Sequence, residues 1–197
     1  MPSLYYVRNC IVGKEKKVKV TWIHIDTNIF YYKHDEMENE GMKKNFEILG
    51  WDNEDEIERK LHWLENQLIE QQDANWIFVV GHHPLIGECA DHYYMSRLPI
   101  LFERYKVSGY FAGHAHVLEY QYPKPKSSVA YFTSGAGSRT SVGCNGRDWG
   151  MSEGNFGFLH ATIIDKEMTF EFINATTIKD KIVYRGKLTA NQVWYPK

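Results

Sequence analysis

Residues 76–84 read Trp-Ile-Phe-Val-Val-Gly-His-His-Pro, and residues 107–116 read Val-Ser-Gly-Tyr-Phe-Ala-Gly-His-Ala-His. Each stretch is a short, mostly apolar run that ends at a glycine followed by a histidine. Such runs are typical of strands buried on both faces of a parallel sheet. Ligands of open α/β sheets collect beyond the carboxyl ends of the strands, so both Gly-His turns are expected at one site.

The flanking sequence alternates strand and helix patterns in its first half. Alternating side chains predict a strand over 18–26, and apolar residues at helical spacing predict helices over 54–72 and 95–106. From residue 129 onward, strand-like runs follow one another with no helical pattern between them, at 129–133, 157–164, 168–174 and 182–188. The predicted fold class is therefore α/β, a mixed sheet with helices joined to a second, largely antiparallel sheet.

The composition fits one globular domain over residues 1–197. Hydrophobic residues make up 43% of the chain, and the Pro-Lys-Pro-Lys-Ser-Ser stretch at 123–128 is short enough to be a loop. A net charge of −2 gives no reason to expect nucleic acid or an anionic membrane as a partner. No apolar run is long enough to span a membrane, and the first residues lack the pattern of a secretory signal.

The three cysteines, Cys10, Cys89 and Cys144, leave two alternatives open. No pair has the spacing of a metal-binding knuckle. They are either three unpaired thiols or, in an exported protein, one disulfide and one free thiol. The Asn-Ala-Thr triplet at 174–176 matches a glycosylation sequon, which has a consequence only in a secreted protein.

Three histidines are candidate metal ligands. His114 and His116 are two residues apart, so in an extended segment their side chains point to the same side. On a loop they can bind two neighbouring metals or one metal together. His82 supplies a third nitrogen from a separate element. Neutral imidazole suits zinc, iron or manganese. His83 is the less favoured ligand of its pair because adjacent side chains diverge, and we expect it to face substrate or solvent.

The two Gly-His turns resemble the last two motifs of the calcineurin-like metallophosphoesterases. Their surroundings are similar to the tartrate-resistant purple acid phosphatases at three places, Ile-Asp-Thr at 25–27, Tyr-Phe-Thr-Ser-Gly-Ala-Gly at 131–137, and Gly-Phe at 157–158 followed by Lys-Glu-Met-Thr at 166–169. The similarity runs from about residue 2 to about residue 188. It implies a metallophosphoesterase β-sandwich flanked by helices, in the layer order α/β/β/α.

The resemblance also implies a chemistry. The family hydrolyses phosphate monoesters at a dinuclear metal centre of Fe(III) with Fe(II), Zn(II) or Mn(II). By resemblance, His82 and His114 bind the divalent metal and His116 binds the ferric ion. His92 is the nearest match to the histidine that contacts the phosphate and protonates the leaving group. Proteins of this family are usually secreted or lysosomal.

The sequence also departs from the family pattern. Ala115 stands where the family usually has an aspartate between the two histidines, and Val117 replaces an asparagine that often follows. The carboxylate motifs of the family, a Gly-Asp pair and a Gly-Asn-His-Asp sequence, do not occur in residues 1–197. The chain is therefore interpreted as a single partial domain, with the N-terminal portion of the fold missing. Missing strands are expected to leave an exposed sheet edge and an exposed apolar face.

The missing carboxylates change the expected chemistry. Neutral imidazoles cancel no positive charge, and two cations at ~3.5 Å repel without a bridging carboxylate. Ferric iron also favours oxygen ligands. We therefore predict that the chain alone holds at most one divalent metal, weakly, and has little acid phosphatase activity. A phosphodiesterase or nucleotidase of the same superfamily, and a non-catalytic interaction module, remain as alternatives.

Three further features have a structural interpretation. Residues 134–138 lack the lysine and the following helix of a P-loop, so we expect a tight turn between strands. Asp26 ends the first strand pattern and is expected to make structural hydrogen bonds. The large aromatic residues are assigned to the core, namely Trp22, Trp63, Trp76 and Phe78.

Overall fold

Four parallel strands form the centre of a seven-stranded sheet, and the two that precede the Gly-His turns are neighbours within it. The computed structural model of the chain describes residues 3–13, 17–87, 90, 94–122, 127–142, 148–176 and 181–190. The strands of the large sheet are β1 (Tyr6–Val12), β2 (Val18–His24), β3 (Trp76–Val80), β4 (Gly109–Ala112), β5 (Leu118–Gln121), β6 (Ala130–Ser134) and β7 (Trp149–Met151).

The order in the large sheet is β1-β2-β3-β4-β6-β5-β7. β2, β3, β4 and β6 run parallel, whereas β1, β5 and β7 are antiparallel to their neighbours. A second sheet of three antiparallel strands has the order β10-β9-β8 and consists of β8 (Gly157–Ile164), β9 (Glu167–Asn174) and β10 (Lys181–Thr189). The mixed sheet and the second antiparallel sheet predicted from the sequence are both confirmed.

The helices begin and end where local chemistry allows. They are α1 (Asn28–Tyr31), α2 (Glu40–Leu49), α3 (Glu54–Glu70) and α4 (Arg97–Arg104), with 3₁₀ turns at His34–Glu36 and Tyr94–Ser96. At the start of α3, the Asn53 side chain accepts a hydrogen bond from the backbone N–H of Glu56 at 3.0 Å. This cap satisfies one of the donors that a helix leaves unpaired at its start. The helix predicted over 54–72 is thus confirmed within two residues of its end.

Two hydrophobic cores lie on opposite faces of the large sheet. On one face the helices pack against the sheet, and Leu64 and Phe102 belong to the same buried cluster as Ile77. On the other face Phe132 packs against Phe170 of the small sheet. The layers are therefore helix, sheet and sheet, and in the described ranges no helical residue belongs to the core between the two sheets. All four aromatic residues assigned to the core contribute to one of these clusters.

The edge of the large sheet at β1 is exposed. Within the described residues β1 pairs with β2 alone, and its Ile11 is 59% exposed. Cys10 on the same strand is a free, exposed thiol, whereas Cys89 and Cys144 lie outside the described residues. No helix of the described part is both long and apolar enough to cross a membrane.

The contact between the two sheets is testable at Phe170. Its ring is 1% exposed and lies 4.7 Å from that of Tyr120 and 5.0 Å from that of Phe132, measured between centroids. Replacing it, in Phe170→Ala, leaves a cavity and should lower the free energy of unfolding by about 3–5 kcal/mol. Urea unfolding measures the loss. The control Ile164→Ala, at a 72% exposed side chain of the same sheet, should change stability by less than about 0.5 kcal/mol.

Candidate metal centre

The two Gly-His turns meet because β3 and β4 are adjacent and parallel, so their carboxyl ends reach the same edge of the sheet. Backbone hydrogen bonds continue past the ends of the strands. The N–H of Gly81 donates to the carbonyl of Phe111 at 3.0 Å, and that of Gly113 donates to the carbonyl of His82 at 2.9 Å. The ladder thus carries the parallel register into the turns and fixes His82 beside His114.

Backbone constraints explain why the turn residues are what they are. A Cβ at Gly81 would clash with the hydroxyl of Tyr110 and would approach the methyl of Thr27 to 2.6 Å, so a side chain there would displace these two buried residues. His114 adopts a left-handed conformation with φ of +52°, which is uncommon for a residue with a side chain. Such a conformation costs about 1–3 kcal/mol and is typical of functional sites.

Three histidines converge at this edge. His82, His83 and His114 each offer a ring nitrogen, and these nitrogens all lie within 4.8 Å of one another. One pair of these nitrogens, His82 Nε2 and His114 Nδ1, is 3.2 Å apart. Two nitrogens bound to one zinc ion at 2.0–2.1 Å are separated by about 3.4 Å in tetrahedral geometry. The separation found for this pair is close to that value.

His83 does not face solvent. Its side chain is 0% exposed, its Nδ1 lies 2.7 Å from Thr27 Oγ1, and the ring of Tyr31 stacks on it at 3.7 Å between centroids. The hydroxyl of Tyr110 donates to its carbonyl oxygen at 2.8 Å. Burial raises the pKa of Tyr110, which keeps that hydroxyl protonated as a donor. We expected His83 to point away from the cluster because adjacent side chains diverge. In this turn, its ring nevertheless lies with those of His82 and His114.

His116 lies outside this group of three histidines. Its Nδ1 is 3.3 Å from Ser141 Oγ, and its carbonyl accepts from the N–H of Ser141 at 3.0 Å. Ala115, the residue between His114 and His116, is buried. Its carbonyl oxygen lies so close to Gly135 that a Cβ on residue 135 would overlap this oxygen. The 134–138 segment is thus a tight turn against the histidine loop, as the sequence predicted.

A cleft of about 300 Å³ opens beside His82, and Asp26, His24 and Tyr6 also line it. The Asp26 carboxylate accepts from the N–H of Asn28 at 2.9 Å, which confirms its structural role. Burial, with a smaller contribution from Arg8, lowers the pKa of His24, and its ring stacks on Tyr6. His92, predicted to contact phosphate, lies outside the described residues.

The donor set decides which metal fits. The cluster offers imidazole nitrogens, and in the parts of the chain that the structure describes it includes no carboxylate. Imidazole suits zinc and other borderline divalent ions, whereas ferric iron favours oxygen. The described residues thus fit one divalent cation. A ferric ion and a second metal would require oxygen ligands that this cluster does not contain.

Two parallel strands that end in histidine-bearing turns place the candidate site where open α/β sheets bind their ligands. The family model described as calcineurin-like phosphoesterase matches residues 5–118, more than half of the chain. The chain belongs to the calcineurin-like phosphoesterases.

Curated relatives agree with this family. Tartrate-resistant acid phosphatase type 5 of Homo sapiens is 31% identical over 130 residues, which cover 59% of this chain and 39% of that protein. The serine/threonine-protein phosphatase UIS2 of Plasmodium berghei is 29% identical over 136 residues, which cover 64% of this chain and 9% of that protein. The chain thus spans about two fifths, or 39%, of the acid phosphatases it matches.

Two solved structures share the fold. GAP50, described as the anchor in the inner membrane complex of Plasmodium, superposes with a TM-score of 0.73 at 21% identity, over 98% of this chain and 56% of its own. The purple acid phosphatase PPD1 from yellow lupin seeds gives a TM-score of 0.54 at 14% identity, over 94% of this chain and 32% of its own. The resemblance to purple acid phosphatases stated from the motifs is confirmed, and these structures support the fold alone.

Thr27 offers a test of how the turn is held. Its buried hydroxyl oxygen accepts from the backbone N–H groups of His82 and His83 at 3.2 and 3.1 Å. The isosteric Thr27→Val change leaves these donors without that acceptor and should lower the free energy of unfolding by about 1–3 kcal/mol. Thr27→Ser keeps the hydroxyl and serves as the control. Urea unfolding measures both variants, and a Thr27→Val chain as stable as the unmodified one would contradict this role of the hydroxyl.

Proposed function

We propose that the chain is the histidine-bearing part of a metal-dependent acid phosphatase that hydrolyses phosphate monoesters. The observation behind this proposal is the pair of facing nitrogens, His82 Nε2 and His114 Nδ1, at 3.2 Å where β3 and β4 end. Its family membership and its acid phosphatase relatives support the reaction class. A bound metal would polarise the phosphoryl group and supply an activated water for attack.

The residues of this chain have distinct roles in the proposal. His82 and His114 bind a divalent ion, and the hydroxyl of Tyr31, 3.4 Å from His114 Nε2, orients the second ring. The cleft of about 300 Å³ beside His82 accommodates the organic group of the ester. By family resemblance His116 would bind a second, ferric ion, which would also need oxygen ligands from outside the described cluster. Because no carboxylate belongs to the described cluster, we expect the chain alone to be weakly active.

A substrate panel tests the reaction class. With Zn²⁺ or Mn²⁺ added, the chain should release phosphate from p-nitrophenyl phosphate faster than it cleaves bis(p-nitrophenyl) phosphate or a nucleotide. His114→Ala should reduce this rate by about a hundredfold or more, because it removes a side chain proposed to bind the metal directly. Loss of a residue that only orients a metal ligand already costs about 10–100-fold. The control is His160→Ala, at an exposed side chain on β8. Preference for the diester or the nucleotide would instead favour the phosphodiesterase or nucleotidase alternative.

A second assay addresses His92. If this residue protonates the leaving group, His92→Asn should lower kcat for phenyl phosphate by about 10²–10⁴-fold. It should lower kcat much less for p-nitrophenyl phosphate, whose leaving group needs little protonation. An equal fall on both substrates would assign His92 to phosphate binding or to structure rather than to proton transfer.

A second candidate function is that of a non-catalytic interaction module. The favouring observation is the match to GAP50, which covers 98% of this chain with a TM-score of 0.73, higher than that of the lupin phosphatase at 0.54. That protein is described as an anchor in a membrane complex. A folded chain that releases no phosphate from any member of the substrate panel, whichever metal is added, would support this candidate over the enzyme.

A further inference from the structure

We propose that His24, at the end of β2, donates a proton to the leaving oxygen of a phosphate ester bound in the cleft beside His82. This role rests on the proposed function and adds a catalytic residue to it. The donor that the family resemblance indicates is His92, which lies outside the described residues. The motifs of the sequence assign no role to His24.

Sheet register places His24 at the same edge of the large sheet as His82. β2 and β3 are parallel, and His24 lies opposite Val80, two residues before His82. The pairing continues past the end of β2, where the backbone N–H of Ile25 donates to the carbonyl of Val80 at 2.9 Å. Ligands of open α/β sheets bind beyond this carboxyl edge. His24 and His82 both line the cleft of about 300 Å³ that opens there.

The ring of His24 is held in place while its nitrogens remain available. It stacks on the ring of Tyr6 at 4.3 Å between centroids, with 10° between the ring planes. Tyr6 is the cross-strand neighbour of His24, so the pairing of β1 with β2 sets this contact. Stacking occupies a face of the imidazole, whereas both nitrogens lie on its edge. In the part of the chain that the structure describes, no hydrogen bond to a His24 ring nitrogen occurs.

The surroundings of His24 favour release of its proton. Burial, and to a smaller extent the guanidinium of Arg8, lowers the pKa of His24. A lower pKa makes the protonated ring a stronger acid, and a general acid works best when its pKa lies near the working pH. The other titratable side chains that line the cleft are Asp26, His82 and Tyr6. The donor therefore suits a reaction that runs at acidic pH.

The proposed step transfers one proton. The bond between phosphorus and the ester oxygen breaks, and its electron pair stays on that oxygen. A ring N–H of protonated His24 gives its hydrogen to the same oxygen, so the product leaves as a neutral alcohol or phenol. Water supplies the new oxygen on phosphorus, and the proton that this water releases returns to the His24 ring.

Leaving-group dependence tests the step. In the chain supplied with Zn²⁺, His24→Asn should lower kcat for phenyl phosphate by about 10²–10⁴-fold and should lower it much less for p-nitrophenyl phosphate. His24→Phe removes the acid but keeps a ring that can stack on Tyr6, so it should give the same pattern. The control His160→Asn, at an exposed side chain of β8, should leave both rates unchanged. Thermal unfolding checks that each variant is folded.

The pH profile gives a second readout. Because the protonated ring is the donor, kcat for phenyl phosphate should fall as the pH rises through the pKa of His24, which lies below its ordinary value. In His24→Asn this fall should be lost. The imidazole NMR resonances of the unmodified chain measure that pKa directly, and inorganic phosphate should raise it, because a nearby anion favours the protonated form.

Opposite results would overturn the proposal. If His24→Asn lowers kcat equally for both substrates, His24 acts in binding or in structure and not in proton transfer. If saturating phosphate leaves the pKa of His24 unchanged, the ring does not face the bound ester. If folded His24→Asn hydrolyses both substrates like the unmodified chain, the proton comes from another residue, such as His92. Absence of phosphate release from every substrate is a different result, because it refutes the proposed function itself.

Discussion

The parallel pairing of β3 with β4 is the constraint on which the site depends. It brings the ends of two buried strands to one edge, and the hydrogen bond from Gly113 N–H to the His82 carbonyl, at 2.9 Å, continues the pairing into the turns. Side chains from both cores fix these strands on their two faces. The 3.2 Å approach of two imidazoles is therefore a consequence of sheet register.

The turns store strain that the surrounding packing offsets. His114 has a φ of +52°, and Gly81 lies too close to Tyr110 and Thr27 to carry a side chain. These costs persist because buried aromatic contacts and hydrogen bonds over-determine the loops. Among the described residues, the cluster held by these contacts offers imidazole nitrogens and no carboxylate. This donor set favours a borderline divalent cation over a ferric ion. Both candidate functions share this geometry and differ in whether it serves hydrolysis.

Patterns that reflect burial predicted much of the fold. The strands at 76–80 and 157–164 and the helix at 54–72 match the structure within two residues, because apolar spacing records which side chains are buried. β1, β5, β7, α1 and α2 were missed. β1 is an edge strand with mostly exposed residues, and the four-residue α1 is too short to show a period. Their positions are set by neighbours that pair or pack with them, which local sequence does not record.

The sequence by itself determined that histidines follow two buried strands and that the candidate site offers imidazole nitrogens. The tertiary structure alone decided which histidines converge. His83 joins the cluster because it lies in a turn, where the alternation of an extended chain no longer applies, and because Thr27 and Tyr31 hold its ring. Thr27 lies 56 positions from His83 along the chain, and such distant contacts follow only from folding.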